Sequence, residues 1–349
     1  MFISDPEYFL NVVVNTTKSA VSQAVIDKDS FYKSFDIPKK DGVRHITAID
    51  KKSLLYKLQS ALVRNFFEKL PIPKAAKGFI KGHSYNDFLR EHIGKKYFLR
   101  IDIKDFFGSI TLKHMHDIFS EYIKDEYALK SVCDICTVAG KLPQGAVSSP
   151  AISNIIFSRI DQRITKYCQK IDITYTRYAD DLMFSSDKYD FKNQVHFYRK
   201  IKYILNKNGF RCNYSKKRIS QESVSLSGYV VEKDVHLSRK KLNGINKVLY
   251  YFGKCKDYSE NKKYRISNII FENPDWLKDL NSMGILDYYG RTKCFENVYQ
   301  LINYLAGYRS FLISVIKANE CPSPKIVQLK HKIIKIEKLL DVLSQKFDT

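Results

Sequence analysis

The chain has 349 residues, enough for a sizeable hydrophobic core and for one large unit or two to three smaller ones. Its 59 Lys and Arg residues outnumber its 37 Asp and Glu residues and give a formal net charge of +22 at pH 7. A field of that size attracts polyanions, and 24 Tyr and 22 Phe residues offer ring faces that stack on bases, so nucleic acid is favoured over an anionic membrane as the partner.

The sequence disfavours membrane-spanning, secreted and zinc-binding proteins. No apolar run approaches the roughly 18 to 20 residues that span a bilayer, and residues 1–7 lack the features of a secretion signal. The seven cysteines are scattered, and Cys133 and Cys136 have no second pair with which to complete a zinc site. Their apolar neighbours predict a buried helix face instead. We therefore expect a cytoplasmic protein without a membrane partner.

The N-terminal region predicts helices followed by a basic hairpin. Asp5 as an N-cap and Pro6 at the first helical position open a helix. Residues 31–49 alternate around a turn signal at 38–42, which is typical of a β-hairpin. This hairpin carries Arg44. Basic hairpins can close over a triphosphate, but lysines also protect a solvated edge strand, and the pattern leaves both interpretations open.

Two helical segments lead from the hairpin to an apolar strand. The spacing of apolar residues after Ser53 predicts an amphipathic helix that ends at Pro71, and a second amphipathic segment covers 88–92. Residues 98–107 then predict a buried strand that presents Asp102.

A loop of small residues at 140–150 follows two predicted helices, 115–126 and 129–138. It contains Gln144 and leads into a helix of about 151–168. Small residues let backbone and a base pair approach closely, and the glutamine can donate hydrogen bonds. The same composition is also compatible with a tight loop that has no function.

The stretch 175–184 places Asp180 and Asp181 between residues of high strand propensity. This pattern predicts a β-hairpin with two acids at its tip, although such pairs are also common in ordinary turns. Rigidly held carboxylates can share Mg²⁺ ions and leave room for substrate phosphates. With Asp102 from a neighbouring strand, they would complete a nucleotidyl-transfer site with two metal ions.

The last third of the chain is basic and aromatic. A basic strand at 211–218 and an alternating hairpin at 224–237 precede a helical region. There, Lys240 and Lys241 lie near Tyr250, a composition suited to gripping a duplex backbone. Solvated lysines over a core of tyrosines are the alternative.

In this order, the segments resemble the motifs of a reverse transcriptase. Tyr178-Ala179-Asp180-Asp181 matches the family's Tyr-x-Asp-Asp box, and Asp102 with residues 105–107 matches its first palm motif. Residues 142–145 match its Leu-Pro-Gln-Gly loop. The resemblance runs from about residue 44 to residue 229 and continues more weakly to the end.

The resemblance implies an α+β fold, a right-hand polymerase with fingers, a palm of antiparallel sheet plus helices, and a mostly helical thumb. The expected divisions are an N-terminal helical segment at 1–30, fingers at 31–95 with 113–145 contributing, a palm at 96–235 (96–112 and 146–235), and a thumb with the C-terminal helices at 236–349.

It also implies three groups of site residues. The ligands of two Mg²⁺ ions are Asp102, the backbone of Ile103, Asp180 and Asp181. The contacts to the deoxynucleotide triphosphate are Arg44, Asp105, Phe106, Phe107, Gln144 and Lys217, for which the adjacent Lys216 is an open alternative. The primer and template contacts are Gly228, Lys240, Lys241 and Tyr250. Phe107 is the ring that stacks under the sugar, and this predicts dNTP over rNTP.

Within the family, the chain is most similar to the bacterial retron type, a likeness carried by residues 148–150, 175–182 and 306–311. Two segments depart from the pattern. Residues 88–92 keep only the histidine of Asn-Ala-x-x-His, and residues 226–228 read Leu-Ser-Gly instead of Val-Thr-Gly. The departures bear on the subfamily and on priming more than on polymerase activity. The stretch 257–291 is longer than a typical retron thumb needs and is a candidate for an added contact surface.

The retron resemblance implies a structured non-coding RNA that is both template and primer, with synthesis from the 2′-hydroxyl of an internal guanosine. The product is a branched RNA–DNA hybrid, and the expected role is anti-phage defence with a separately encoded effector protein. The alternatives are another bacterial defence enzyme, a group II intron type without its maturase and endonuclease parts, and a non-catalytic RNA-binding scaffold. The presence of all three acids, Gln144 and Phe107 argues against the scaffold.

Overall fold

The structure, a computed structural model, describes residues 2–39, 42–253, 274–287, 291–319 and 323–347. Within these residues the fold is mixed α+β, as the sequence predicts. The chain divides into two units, Met1–Phe88 with Tyr97–Ser220 and Leu89–Lys96 with Gln221–Thr349. No helix in the described part of the chain combines the length and apolar character needed to cross a bilayer.

The first unit supplies the larger sheet and most of the helices. The helices that begin before residue 221 are α1 Pro6–Tyr8, α2 Lys18–Ile26, α3 Leu54–Asn65, α4 Tyr85–Arg90, α5 Leu112–Phe119, α6 Glu126–Cys136, α7 Ser149–Gln169 and α8 Val195–Lys207. The strands are β1 Tyr32–Lys39, β2 Gly42–Ile49, β3 Tyr97–Lys104, β4 Thr174–Tyr178, β5 Asp181–Ser186, β6 Arg211–Cys212 and β7 Arg218–Gln221. A π-helical turn, Phe9–Val13, continues α1, and 3-10 turns are Lys28–Phe31, Phe67–Lys69 and Tyr214–Lys216.

The second unit is built on short strands followed by helices. Its strands are β8 Val224–Leu226, β9 Tyr229–Val231, β10 Val235–Leu237, β11 Ile285–Leu286 and β12 Thr292–Lys293, and its helices are α9 Arg239–Gly253, α10 Trp276–Ser282, α11 Val298–Lys317 and α12 Pro324–Phe347.

An antiparallel sheet in the order β4-β5-β3-β6, with β7 also paired to β3, forms the centre of the first unit. β3 and β5 are inner strands, and the apolar residues of β3 are buried because helices cover the sheet. Phe184 on β5 stacks on Tyr175 at 4.9 Å between ring centroids and meets Phe197 of α8 at 5.1 Å. This aromatic packing fixes the sheet against its helices, and the position of the acidic residues follows from the register.

Both sequence-predicted hairpins of this unit are confirmed. β1 pairs with β2 from Tyr32 opposite Ile49, and β4 pairs with β5 from Thr174 opposite Ser185. The hairpin predicted at 224–237 is confirmed as the antiparallel pair of β9 and β10, but the chain also turns before β9, so that β8 joins them in the three-stranded sheet β10-β9-β8. The extra turn is made by Ser227 and Gly228, both at positive φ (49° and 85°). Alternating polarity alone does not reveal such a turn.

Arg177 on β4 is fully buried and pairs with Asp161 of α7, and both side chains have no exposed surface. Its Nε donates to the two carboxylate oxygens at 3.0 and 3.1 Å, and its Nη2 donates to Oδ2 at 2.7 Å. Nη2 also donates to Asn154 Oδ1 at 3.0 Å, and Nη1 to the carbonyl of Ala179 at 3.1 Å. The guanidinium carbon lies 4.6 Å from the centroid of the Phe157 ring. The buried charge therefore has partners on every side.

This network reaches the segment before α4 and the turn before β5. Asn154 Nδ2 donates to the carbonyl of Gly78 at 2.8 Å, and the Tyr175 hydroxyl donates to Asp161 Oδ1 at 2.7 Å. A Cβ at position 78 would lie 2.7 Å from the backbone nitrogen of Ala179, so only glycine permits this approach. The ion pair thus joins α7, β4, the 76–78 segment and the aspartate turn.

We expect Arg177→Met to lower the free energy of unfolding by about 3–5 kcal/mol, because it leaves the carboxylate of Asp161 buried without its partner. Tyr175→Phe is the matched control: it removes one hydrogen bond to the same carboxylate, retains the ion pair, and should cost about 1–2 kcal/mol. Urea denaturation followed by circular dichroism measures both. If Arg177→Met cost no more than Tyr175→Phe, the ion pair would not be the main link in this core.

Candidate active site

Strands β3 and β5 bring the three predicted aspartates together. Asp102 and Asp181 are directly opposite each other in the antiparallel register, and Asp180 immediately precedes β5. Opposed residues of this kind have Cβ atoms about 4.5–5.5 Å apart. Ala179 at φ 55° makes the turn tight, and Ile103 N donates to the carbonyl of Asp180 at 2.9 Å. Acids separated by 78 positions therefore form one cluster.

Cations neutralise this cluster only in part. Lys216 Nζ donates to Asp102 Oδ2 at 2.7 Å, whereas Oδ1 of the same buried carboxylate has no hydrogen-bond partner among the described residues. Arg100 donates twice to Asp181 Oδ1, from Nε at 2.9 Å and from Nη2 at 2.6 Å. An orphaned buried oxygen is costly unless a cation or donor completes it.

The electrostatics of the cluster also favour a bound cation. Burial raises the pKa of the Asp180 carboxyl to about 6, and the charges of Asp181 and Asp102 add to the effect. Burial raises the pKa of Asp181 as well, although Arg100 opposes the shift. Clustered carboxylates in a low dielectric resist ionisation unless positive charge arrives. Mg²⁺ prefers oxygen ligands, so the residues present fit that ion.

Phe106 and Phe107 have different surroundings after β3. The Phe106 ring is buried, with centroid distances of 5.7 Å to Phe157 and 5.9 Å to Phe210. Phe107 is half-buried, lies 5.5 Å from Phe106 and extends to Phe79 at 6.0 Å. Phe106 thus anchors the segment in the core, and Phe107 is the ring that remains partly exposed.

Asp105 lies at a sharp turn between β3 and these two rings. Its φ is 46°, in the left-handed region. Its carbonyl accepts hydrogen bonds from the amide and the hydroxyl of Ser109, each at 2.8 Å. The backbone amides of residues 105 and 106 are therefore held by a locally bonded turn.

The loop that contains Gln144 lies against β2. Thr47 N donates to the carbonyl of Gln144 at 3.0 Å, and a Cβ at Gly145 (φ +132°) would be 2.7 Å from the carbonyl oxygen of Thr47. This contact joins the loop to the strand whose backbone includes position 44. The side chain of Arg44, and residues 40–41 of the predicted turn, lie outside the described residues.

The structure separates the two lysines that sequence spacing could not. Lys216, in the Tyr214–Lys216 turn, contacts Asp102, whereas Lys217 Nζ lies over the ring of Tyr198 on α8 at 4.1 Å from its centroid. Lys217, the predicted nucleotide contact, therefore faces a ring of α8, and Lys216 is the lysine at the carboxylates.

Arg100 is a site residue that sequence reasoning missed. Alternate residues of a strand share a face, so Arg100 and Asp102 on β3 both point to the side that meets Asp181. The available signal was the i, i+2 spacing of this arginine before an aspartate predicted to bind metal.

In the second unit, Lys241 packs against the turn that contains Gly228. Its Nζ donates to the carbonyl of Ser227 at 3.0 Å and lies 5.1 Å from the centroid of the Tyr229 ring. Burial lowers the pKa of Lys241. Gly228 has φ +85°, and a Cβ there would be 2.5 Å from the side chain of Lys241. Lys241 therefore supports this turn.

Lys240 and Tyr250, the other predicted nucleic-acid contacts, are exposed on α9. Tyr250 borders a cavity of about 510 Å³ that is also lined by His331, Lys332 and Lys335 of α12. These side chains form a basic groove with one exposed ring. Of the stretch 257–291, residues 257–273 and 288–290 lie outside the described residues.

Comparison with known proteins accounts for this arrangement. Residues 37–231 match the family described as reverse transcriptase (RNA-dependent DNA polymerase). The retron Ec86 reverse transcriptase of Escherichia coli is 30% identical over 227 residues, which cover 64% of this chain and 70% of that protein. The retron Ec73 enzyme of the same species is 29% identical over 72% of this chain and 90% of that protein.

The retron Mx65 reverse transcriptase of Myxococcus xanthus is 27% identical over 67% of this chain, and the match spans 58% of that enzyme. Among solved structures, a telomerase from Candida albicans aligns with a TM-score of 0.46 and 13% identity, over 87% of this chain and 63% of that chain. The assignment therefore rests on the sequence matches. The chain belongs to the reverse transcriptase family of RNA-directed DNA polymerases, and the curated relatives named here are retron enzymes.

We expect Asp180→Asn to stabilise the metal-free protein at neutral pH but not in acid. The folded-state pKa of Asp180, about 6, is above the ordinary value of 3.8, so its stabilising contribution is present below about pH 4 and is lost as the pH rises through 6. Since this difference in pKa corresponds to a free energy of roughly 3 kcal/mol, the variant should gain up to about that much stability over the wild type near pH 7.

Urea denaturation in EDTA, near pH 4 and near pH 7, measures this difference. Added Mg²⁺ should reverse the order near pH 7, because it stabilises only the protein that binds it. Equal stabilities at both pH values would mean that Asp180 is not under electrostatic stress.

Proposed function

We propose that the protein copies a structured non-coding RNA into short single-stranded DNA, as a retron reverse transcriptase. The observation that carries the proposal is the pairing of Asp102 with Asp181, next to Asp180, in the motif order of the family. The retron relatives add the substrate class.

The carboxylates of Asp102, Asp180 and Asp181, with the backbone of Ile103, would hold two Mg²⁺ ions. Bound there, the metal supplies Lewis-acid chemistry that favours the ionised primer hydroxyl and neutralises charge on the triphosphate. Arg100 orients Asp181 through two hydrogen bonds to one oxygen and leaves the other oxygen for a ligand.

Lys216 takes the role that the sequence first assigned to Lys217. Its ammonium lies at Asp102, so it would hold a proton at Nζ for the leaving pyrophosphate. On the other side of the nucleotide, the amides of Asp105 and Phe106 would bind phosphate oxygens, as backbone N–H groups do in anion sites. Arg44 would contact the same phosphates from the hairpin.

The nucleotide would lie over Phe107, whose ring rests on the buried ring of Phe106. A rigid ring under the sugar leaves no room for a 2′-hydroxyl. Gln144, whose loop is bonded to β2, would line the same pocket. These contacts favour dNTPs as substrates.

For the whole protein, we propose a right hand in which the first unit supplies fingers and palm and the second supplies the turn at Gly228 and the thumb. Lys240 and Tyr250, beside the basic groove of α9 and α12, would bind primer and template by charge and stacking. The net charge of +22 supports a polyanionic partner such as an RNA template with its DNA product.

The proposed RNA serves as both template and primer, and synthesis begins from an internal 2′-hydroxyl. Defence against phage, with a separately encoded effector, is the corresponding biological role. Another bacterial defence enzyme and a group II intron type are the alternatives, since residues 88–92 and 226–228 depart from the retron pattern.

Nucleic acid extracted from the purified wild-type protein should contain one short DNA joined to one RNA, so that the species shrinks on a denaturing gel after RNase treatment. Asp181→Asn should yield the RNA alone, because the variant loses a metal ligand but not the RNA-binding surfaces. Asp172→Asn, at an exposed aspartate before the same hairpin, is the matched control and should yield the wild-type species.

Heterogeneous DNA from the wild type would favour the alternative enzymes over a retron. DNA from Asp181→Asn at the wild-type level would contradict the assignment of the catalytic aspartates.

We expect Phe107→Ala to reduce the preference for dNTP over rNTP by at least about tenfold, because the ring no longer excludes the 2′-hydroxyl. Single-nucleotide incorporation with matched dNTP and rNTP measures the ratio of kcat/KM. Phe107→Tyr, which keeps the ring, should retain the wild-type preference. Unchanged discrimination in Phe107→Ala would rule out the steric role.

A further inference from the structure

Phe79 has an unusual backbone and an unusual exposure for a large apolar residue. Its φ is 61°, in the left-handed region that bulky side chains avoid, and its side chain is 44% exposed. Strain of this kind persists only where the surrounding structure imposes it. Burial does not compensate for the strain here, because nearly half of the ring faces solvent.

The ring of Phe79 touches two rings of the candidate active site. Its centroid lies 6.0 Å from that of Phe107 and 6.4 Å from that of Tyr178. Tyr178 is in turn held by Tyr85 at 4.9 Å and by Phe88 at 5.9 Å. Phe79 therefore connects the ring after β3 with the ring before the aspartate pair.

Three contacts fix the backbone of residues 77 and 78, directly before Phe79. Gly78 packs on the nitrogen of Ala179 and bonds through its carbonyl to Asn154, and Lys77 N donates to the carbonyl of Arg177 at 2.7 Å. The segment is thus attached to the same network that holds the aspartate turn. These contacts hold residues 77 and 78 beside the aspartate turn, and the positive φ of Phe79 places its ring next to Phe107.

We propose that Phe79 is a nucleotide-contacting residue that completes an aromatic wall with Phe107 and Tyr178. Its exposed face packs against the sugar and base edge of the incoming deoxynucleotide and so sets the affinity for it. Aromatic faces bind nucleotides in this way without regard to base identity. The inference rests on the proposed polymerase function and adds a determinant of substrate affinity to it.

Steady-state incorporation of dTTP on poly(rA) primed with oligo(dT), by the full-length protein, tests the proposal. Phe79→Gly removes the ring and relaxes the positive φ, so it should raise KM for dTTP by about tenfold, with kcat changed less than about threefold. The Tm should stay the same or rise, since glycine accepts this backbone without strain. Phe79→Leu, which keeps bulk without a ring face, should raise KM by about threefold or more.

Two controls match these variants. Phe2→Ala removes another exposed phenylalanine, which stacks on Tyr122, and should leave KM unchanged. Asp172→Gly relaxes another positive φ, of 58°, and should leave KM unchanged as well.

A KM within about twofold of the wild type in both Phe79 variants would overturn the proposal. A loss of activity in Phe79→Gly that comes with a lower Tm, and is absent from Phe79→Leu, would show a packing role and overturn it too. A wild-type protein that incorporates no dTTP on this template would instead count against the proposed function itself.

Discussion

A fully buried arginine needs a partner for each of its donors, and this requirement at Arg177 organises the site. Its guanidinium bonds to Asp161 and Asn154 of α7 and to the carbonyl of Ala179. Ile103 N bonds to the next carbonyl, that of Asp180. Both peptide groups that flank Asp180 are therefore held by hydrogen bonds to other parts of the protein. A carboxylate held in this way would require little reorganisation to bind an ion.

Unlike the charge of Arg177, the charges of the three carboxylates are only partly compensated. Among the described residues, Arg100 and Lys216 bring two positive charges to three acids, and one oxygen of Asp102 stays without a hydrogen bond. Burial raises the pKa of Asp180, and the neighbouring charges of Asp181 and Asp102 raise it further. A bound triphosphate would add negative charge to this cluster, and a divalent cation would neutralise part of it. Substrate and divalent cation would therefore favour each other's binding. The backbone is rigid where the charge is unsatisfied, and this combination suits metal-assisted phosphoryl transfer.

Sequence patterns predicted the positions of residues that lie in strands with a clear local propensity. Strand propensity around the paired acids predicted β4 and β5. The apolar run at 98–107 predicted the neighbouring strand that carries Asp102. Adjacent lysines at 216 and 217 could not be separated, since a 3-10 turn, invisible to periodicity, sends them in different directions. Arg100 was missed because strand spacing shows a shared face but not the partner strand. The resemblance marked Gly228, but alternating polarity did not show that the turn at Ser227 and Gly228 separates two paired strands, since serine rarely adopts positive φ.

Part of the backbone strain lies around the same carboxylates. Of the eight non-glycine residues with positive φ in the described part of the chain, three, namely Asp105, Ala179 and Phe79, border the predicted nucleotide or metal. Glycine would relieve the strain at each position but would also free the chain. Non-glycine residues keep the turns narrow, and the hydrogen bonds of the buried guanidinium to Asn154 and to the carbonyl of Ala179 hold the neighbouring segments in place. The strained turn and the buried charge thus depend on each other. The pair of Arg177 and Asp161 holds Ala179 in a conformation that its local sequence would not adopt alone.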